Sequence, residues 1–296
     1  LSRLGYSRKG GRWAHKEKNR KIVFLGDFID RGSQNKEVLA TVRELMNAGL
    51  AVAVMGNHEL NAIHFHVEDP ETGRPLREHN DKNINQHASF LREFPYGSKR
   101  TREEIDWMAS LPLWLDLGSF RVVHACWSDA AIDRLSRQTS SAVLSENQLI
   151  EAGRKGTHLH ADIEVTTKGP ELTLPEGYGF HDKDGHLRRE VRIAWWRTGA
   201  KCWRDAAISV PDPNDLPDAP LPSEAAEVIY PKTDKPVFFG HYWLKGPPPL
   251  EAPNALCLDC SAGTDGPLIA YVQTPDQKTV SLHNVIGHPR LAAKDE

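Results

Sequence analysis

Four residues with metal-ligating side chains, Asp27, Asn57, His124 and His241, each stand where a short apolar run stops. Together they offer one carboxylate, one amide oxygen and two imidazoles, a mixed oxygen and nitrogen set that suits Mn2+, Fe or Zn2+ better than thiolate-seeking ions. A single histidine at a strand end is ordinarily a satisfied polar group. Four apolar runs that each end in a ligand-type residue are a much less ordinary coincidence. Gly26, Gly56 and Gly240 would let the backbone come close to a bound ion or phosphate and let the turns take positive φ.

The runs that must carry these residues read as buried strands, because they are short and rich in β-branched or aromatic residues. Ile22-Val23-Phe24-Leu25 leads into Gly26-Asp27-Phe28-Ile29-Asp30-Arg31-Gly32, and Ala51-Val52-Ala53-Val54-Met55 leads into Gly56-Asn57-His58-Glu59. Phe120-Arg121-Val122-Val123 ends at His124, and Val237-Phe238-Phe239 ends at Gly240-His241. Between the first two, residues 34–48 place Val38, Leu39, Val42, Leu45 and Met46 at helical spacing, with Ser33 as N-cap and Gly49 as the stop. A right-handed crossover then sets these strands parallel, so that Asp27 and Asn57 leave the same sheet edge, where open α/β sheets bind ligands. A capping box at Thr101-x-x-Glu104 predicts a second helix carrying Ile105, Met108 and Leu111 before Pro112.

The segment 136–190 is polar, with turn signals at Lys168-Gly169-Pro170 and Asp182-Lys183-Asp184-Gly185, and its elements are not assigned. Five prolines within 211–222 (Pro211, Pro213, Pro217, Pro220 and Pro222) argue for a surface loop without regular structure. Residues 255–258 and 268–272 read as closing β-structure. The expectation is one domain over residues 1–296, with an insertion at about 136–190 and the Pro-rich loop at 211–222.

Gly26-Asp-Phe-Ile-Asp-Arg-Gly32 and Gly56-Asn-His-Glu59 resemble the GDxxDRG and GNHE motifs of the calcineurin-like metallophosphoesterases, in particular the phosphoprotein-phosphatase branch. Val123-His124-Ala125 and Gly240-His241 resemble the later histidine motifs of that branch, so the likeness spans residues 22–243 in order. Its bacterial members include serine/threonine phosphatases and symmetrical or asymmetrical dinucleoside-polyphosphate hydrolases. The resemblance implies an α/β fold, a multi-layer α-β-β-α sandwich with mixed sheets and a metal site at the strand ends. It implies two divalent ions in the full-length protein, Mn2+ first with Fe or Zn2+ as alternatives. Asp27 would bridge them, and Asn57, His124 and His241 would complete one shell.

Hydrolysis would then proceed by in-line attack of a metal-bound water on a phosphomonoester or dinucleoside polyphosphate. His58 would be the general acid and Asp30 would orient its ring, while Arg31 would grip phosphate through its planar fork. The bland reading of Asp30 and Arg31 is a local ion pair. Trp195-Trp196-Arg197-Thr198-Gly199 resembles a W-x-R-x-G segment of bacterial relatives and makes Arg197 a second phosphate contact, unless it only snorkels to solvent. Partners would be a small phosphorylated substrate or a phosphoprotein. A rival reading from another class is a catalytically inactive metal- or phosphate-binding protein that uses the same pocket.

Composition excludes other classes. Hydrophobic residues at 39% and charged residues at 26% describe a globular chain, and no apolar run reaches bilayer length, so no membrane span is expected. A net charge of −3 gives no phosphate-backbone signal, so no nucleic-acid partner is expected. Four cysteines at 126, 202, 257 and 260 suit a reducing compartment, the cytoplasm, rather than a disulfide framework. Cys257-x-x-Cys260 lacks a second pair and reads as buried strand, and Cys126 reads as packing. His64 and His66, two apart soon after Gly56-Asn-His-Glu59, read as surface histidines rather than pocket-facing ones, and His15, His79, His87, His158, His160, His181, His186, His283 and His288 are unassigned.

Relatives open with Asp-x-His on their first strand, and no such pair precedes Asp27. Leu1-Ser2-Arg3-Leu4-Gly5-Tyr6 resembles the end of the helix after that motif, so truncation is expected, with a leader upstream left open. Trp243 occupies the second histidine position of the Gly-His-x-His ending seen elsewhere in the family. One metal would therefore keep Asp27 alone.

Overall fold

Short apolar runs alternate with amphipathic segments along this chain, and they fold into short strands connected by helices. The computed structural model describes residues 1–182 and 185–290. A 3-10 turn, Ser2–Leu4, leads into a hairpin of β1 (Tyr6–Lys9) and β2 (Arg12–His15). Strand β3 (Ile22–Phe24), helix α1 (Asn35–Asn47) and strand β4 (Ala51–Ala53) then form the expected unit, with β3 and β4 parallel and Ile22 opposite Ala51. Leu39, Val42 and Leu45 give α1 its buried face, at the spacing that places them on one stripe.

Helices α2 (Asn57–His66), α3 (Asp81–Glu93) and α4 (Lys99–Ala109) lead to the antiparallel pair β5 (Trp114–Asp116) and β6 (Arg121–Val123). Helices α5 (Asp129–Ser136), α6 (Glu146–Gly153) and α7 (His158–Lys168) follow. Next come β7 (Glu171–Thr173), β8 (Phe180–His181), β9 (Leu187–Arg188), β10 (Glu190–Ile193), α8 (Trp203–Ala206), β11 (Ala207–Ile208) and α9 (Ser223–Val228). The chain closes with β12 (Val237–Phe239), β13 (Ala255–Cys257) and the hairpin β14 (Leu268–Tyr271) with β15 (Val285–His288).

A four-stranded sheet has the order β13-β12-β6-β5. Strands β13, β12 and β6 run parallel and β5 antiparallel, a mixed sheet. Because β6 and β12 are parallel neighbours, both deliver the residues that follow them, His124 directly and His241 after Gly240, to one edge. The Gly240 N–H donates to the His124 carbonyl at 2.8 Å and extends that register past the strand ends. Every residue of β12 and β13 is buried, as expected for parallel strands covered on both faces.

One large apolar core joins Leu39 of α1, Ile63 of α2, Phe90 of α3, Met108 of α4 and Val123 of β6 to Phe239 and Cys257. The unassigned segment contributes to it as well, since Leu149 of α6 and Leu159 and Ile163 of α7 lie in the same core. A smaller cluster gathers Val191 and Ile193 of β10 with Trp203 and Leu216. Among the described residues no helix is long and apolar enough to cross a membrane.

Several local expectations change. The N-cap of α1 is Gln34, one residue after Ser33. Thr101 is not an N-cap but lies inside α4, because Ser98 takes that place and its hydroxyl accepts the Thr101 N–H at 3.1 Å. Glu104, freed from capping, pairs with Arg43 of α1 at 2.6 Å. The Pro-rich segment carries one 3-10 turn, Pro213–Asp215, and buries Leu216. Of the turn read at 182–185, Lys183 and Asp184 lie outside the described residues, while the Gly185 N–H donates to the Asp182 carbonyl.

Candidate metal centre

The loops after β3 and β4 meet only because glycine stands at both. A Cβ on Gly26, which sits at φ 89, would come within 2.5 Å of the Gly56 nitrogen. The loop after β3 is held in the left-handed region at Asp27 (φ 58), Asp30 (φ 68) and Arg31 (φ 61), and the loop after β12 at His241 (φ 75). Such conformations cost about 1–3 kcal/mol each and persist where the surroundings over-determine them.

Much of that determination comes from Glu59, whose carboxylate is fully buried. It accepts the N–H groups of Asp27 at 2.8 Å, Phe28 at 2.7 Å and Gly56 at 2.9 Å, tying both loops to the first turn of α2. Burial first, and then the charge of Asp27, raise its pKa above the ordinary glutamate value. The same N-terminus of α2 directs the His58 N–H at Asp27 Oδ1, 3.2 Å away, where a carboxylate is favoured by the helix dipole.

The four residues singled out from the sequence are brought together here. Ligand atoms of Asp27, His124 and His241 all lie within 4.8 Å of one another. Asn57 Oδ1 is 3.1 Å from His124 Nε2 and 2.8 Å from His241 Nδ1, and His124 Nε2 is 3.4 Å from Asp27 Oδ1. Donors sharing one ion at bond lengths of about 2.0–2.2 Å stand roughly 3 Å apart, so the spacing fits. The chemistry fits too. His124 Nδ1–H donates to the Leu25 carbonyl, which fixes the tautomer and leaves the Nε2 lone pair facing the cluster. Burial, then the neighbouring His124, hold the His241 pKa well below 6.5, so its ring is neutral. His241 Nε2 is buried without a hydrogen-bond partner among the described residues. Among those residues this is the one group of three or more His, Cys, Asp or Glu with metal-site spacing.

Beside the cluster, His58 Nδ1–H donates to Asp30 Oδ2 at 2.7 Å. Burial alone would lower the His58 pKa, but the bond to Asp30 and the charges of Asp27, Asp30 and Glu59 raise it to about 9. Burial works to raise the Asp30 pKa, and its bonds to His58 and His87 override this and hold it below the usual range. With both oxygens so engaged, Asp30 makes no ion pair with Arg31. Arg31 is exposed and lies over the Trp243 ring at 5.0 Å. The Trp243 loop is pinned in turn by Asp259, which accepts the Trp243 N–H at 2.9 Å and the Ser261 N–H at 3.0 Å. Arg197 is placed differently, its Nε on Glu251 at 2.9 Å and its Nη1 on the Asp205 carbonyl at 3.0 Å, neither a member of the cluster.

Reading the sequence alone missed two residues, Glu59 and His87. Glu59 was visible inside a motif, yet its three backbone partners require the folded loops. His87 lies 57 positions from Asp30 and meets its Oδ1 at 2.8 Å, a contact no local pattern announces. His64 is not a surface residue, and His66 is only partly exposed. His64 is buried with Nε2–H donating to the Leu149 carbonyl at 2.9 Å, and burial first of all takes both histidine pKa values down to about 4. The four cysteines are free, and none joins the cluster.

The chain is 29% identical over 147 residues to the asymmetrical bis(5'-nucleosyl)-tetraphosphatase PrpE of Oceanobacillus iheyensis, a match covering 49% of this chain and 56% of that protein. It is 30% identical over 173 residues to the PrpE of Bacillus velezensis, covering 57% of this chain and 66% of that one. The chain thus spans between half and two thirds of the length of these relatives. A solved protein serine/threonine phosphatase from Saccharomyces cerevisiae aligns over 95% of this chain and 74% of its own at 13% identity, with a TM-score of 0.45. The profile described as calcineurin-like phosphoesterase matches residues 9–171, more than half of the chain, and the chain belongs to that family.

Proposed function

We propose that this chain belongs to a divalent-metal-dependent phosphoesterase acting on dinucleoside polyphosphates or phosphomonoesters, and that its residues are part of a single metallophosphoesterase domain. The observation that supports it most is the convergence of Asp27, Asn57, His124 and His241 donors beside an ionised His58–Asp30 pair. Those four residues would hold the ion, with Mn2+ the first choice for an oxygen-containing donor set. Divalent ions held there would supply Lewis acidity toward phosphoryl oxygens and acidify an attacking water.

The chain's own residues do the rest. His58 spends Nδ1 on Asp30, so Nε2 is the nitrogen that hands a proton to the leaving oxygen. Its raised pKa keeps that proton in place at neutral pH. Asp30 fixes the ring plane and stabilises the imidazolium. Arg31, laid on Trp243, keeps a rigid guanidinium edge for two phosphate oxygens. Arg197 joins it only by exchanging Glu251 for phosphate.

The substrate class follows the names of the relatives in Oceanobacillus iheyensis and Bacillus velezensis. A panel of a dinucleoside tetraphosphate, p-nitrophenyl phosphate and a phosphopeptide, each with Mn2+, tests it. Hydrolysis of the dinucleoside at a kcat/KM well above the other two supports the narrower reading. No turnover of any of them in the presence of bound metal contradicts the enzymatic one.

A further inference from the structure

We propose that His87 is a positioning residue for proton donation, holding Asp30 so that Asp30 can orient His58; this rests on reading His58 as the general acid. Asp30 has two carboxylate oxygens and they are divided: Oδ2 takes His58 Nδ1 at 2.7 Å and Oδ1 takes His87 Nδ1 at 2.8 Å. The carboxylate is only 5% exposed. Its backbone is fixed at φ 68 and by donation of its N–H to Asn35 Oδ1 at 2.8 Å. The remaining freedom is rotation about the last side-chain bond, which is intrinsically broad. His87 is the group that closes it.

His87 is itself held from three sides. Its ring stacks on Phe90 at 4.7 Å and 20°, and Phe65 lies 5.1 Å away. Its Nε2 is 3.3 Å from His66 Nε2, and His66 stacks on Tyr96 at 5.1 Å. The four side chains His66, His87, Asp30 and His58 therefore form one continuous hydrogen-bonded string from α2 through α3 to the loop after β3. His87 is 6% exposed at its side chain, so it acts on the reaction through Asp30 and not by touching substrate. Removing its Nδ1–H leaves a buried carboxylate oxygen without a donor, and the carboxylate then turns away from His58 to find one.

The test compares His87→Asn, whose amide sits near the Nδ1 position, with His87→Gln, whose amide falls near Nε2 and faces His66. In the Mn2+-loaded protein His87→Gln lowers kcat for an alkyl phosphate about 10–100-fold, with KM within about twofold. p-Nitrophenolate leaves without protonation, so the loss on p-nitrophenyl phosphate is much smaller. His87→Asn restores most of the alkyl phosphate rate. In the metal-free protein, proton NMR finds a strongly downfield His58 Nδ1 proton in wild type and His87→Asn that is lost in His87→Gln. Should His87→Gln not fold, His87→Leu, which keeps the packing on Phe90, serves the same comparison. Equal losses on both substrates, matching behaviour of the Asn and Gln variants, or an unchanged His58 proton in His87→Gln overturns the proposal. If wild type hydrolyses neither ester, the phosphoesterase reading fails, and the NMR comparison alone decides the positioning role.

Discussion

Replacing His58 by asparagine removes the imidazolium whose proton Asp30 holds, and the effect on stability follows. In the metal-free protein the His58 pKa rises from 6.5 to about 9. At roughly 1.4 kcal/mol per pH unit this corresponds to about 3 kcal/mol. The sign follows from which state holds the proton more tightly. A raised histidine pKa adds stability that is fully present below 6.5 and is lost as pH rises through 9. Seen from Asp30, whose pKa is lowered, the same interaction is present above the ordinary aspartate range and lost as pH falls through the depressed value. It is counted once. Urea unfolding in chelator at pH 6 and pH 9.5 measures it. Wild type is expected to lose about 2–3 kcal/mol more than His58→Asn between the two. Part of the rise comes from the charge of Asp27, so a cation bound there shrinks the difference. Parallel losses in wild type and variant would refute the reasoning.

Other expectations are simpler. With Mn2+, His58→Asn should lower kcat about 10²–10⁴-fold while bound metal, counted by mass spectrometry, stays the same. Glu59→Gln puts an amide NH2 where three backbone N–H groups need acceptors, so denaturant unfolding should show a loss of roughly 2–4 kcal/mol; an unchanged midpoint contradicts this. Gly26→Ala combines φ 89 with a Cβ 2.5 Å from the Gly56 nitrogen. It should destabilise by at least about 2 kcal/mol and weaken metal binding, which calorimetry checks.

The parts of the fold that were legible in the sequence are those written by local periodicity. The runs ending at Leu25, Met55, Val123 and Phe239 became strands because three to five apolar residues bounded by glycine or a polar residue have few other solutions. The parallel pairing of β3 and β4 followed from the handedness of the crossover. Less legible was 136–190, where α6 and α7 bury only Leu149, Ala152, Leu159 and a few neighbours, too sparse an apolar stripe to stand out among polar residues. Ser98 won the cap of α4 over Thr101 because both are good caps and only the preceding Pro95 turn decides between them. At the site, residue types at strand ends pointed to Asp27, Asn57, His124 and His241. The buried supports, Glu59 and His87, act through contacts across 32 and 57 positions; Glu59 stood in a motif without its partners showing, and His87 had no local signature.

The most direct test titrates metal-free protein with Mn2+ and follows, in the same samples, bound metal and the rate of dinucleoside tetraphosphate hydrolysis. The account predicts that the rate rises with occupancy and that His241→Ala abolishes both. Hydrolysis independent of bound metal, metal binding without hydrolysis, or a His241→Ala protein that binds and turns over like wild type would contradict it.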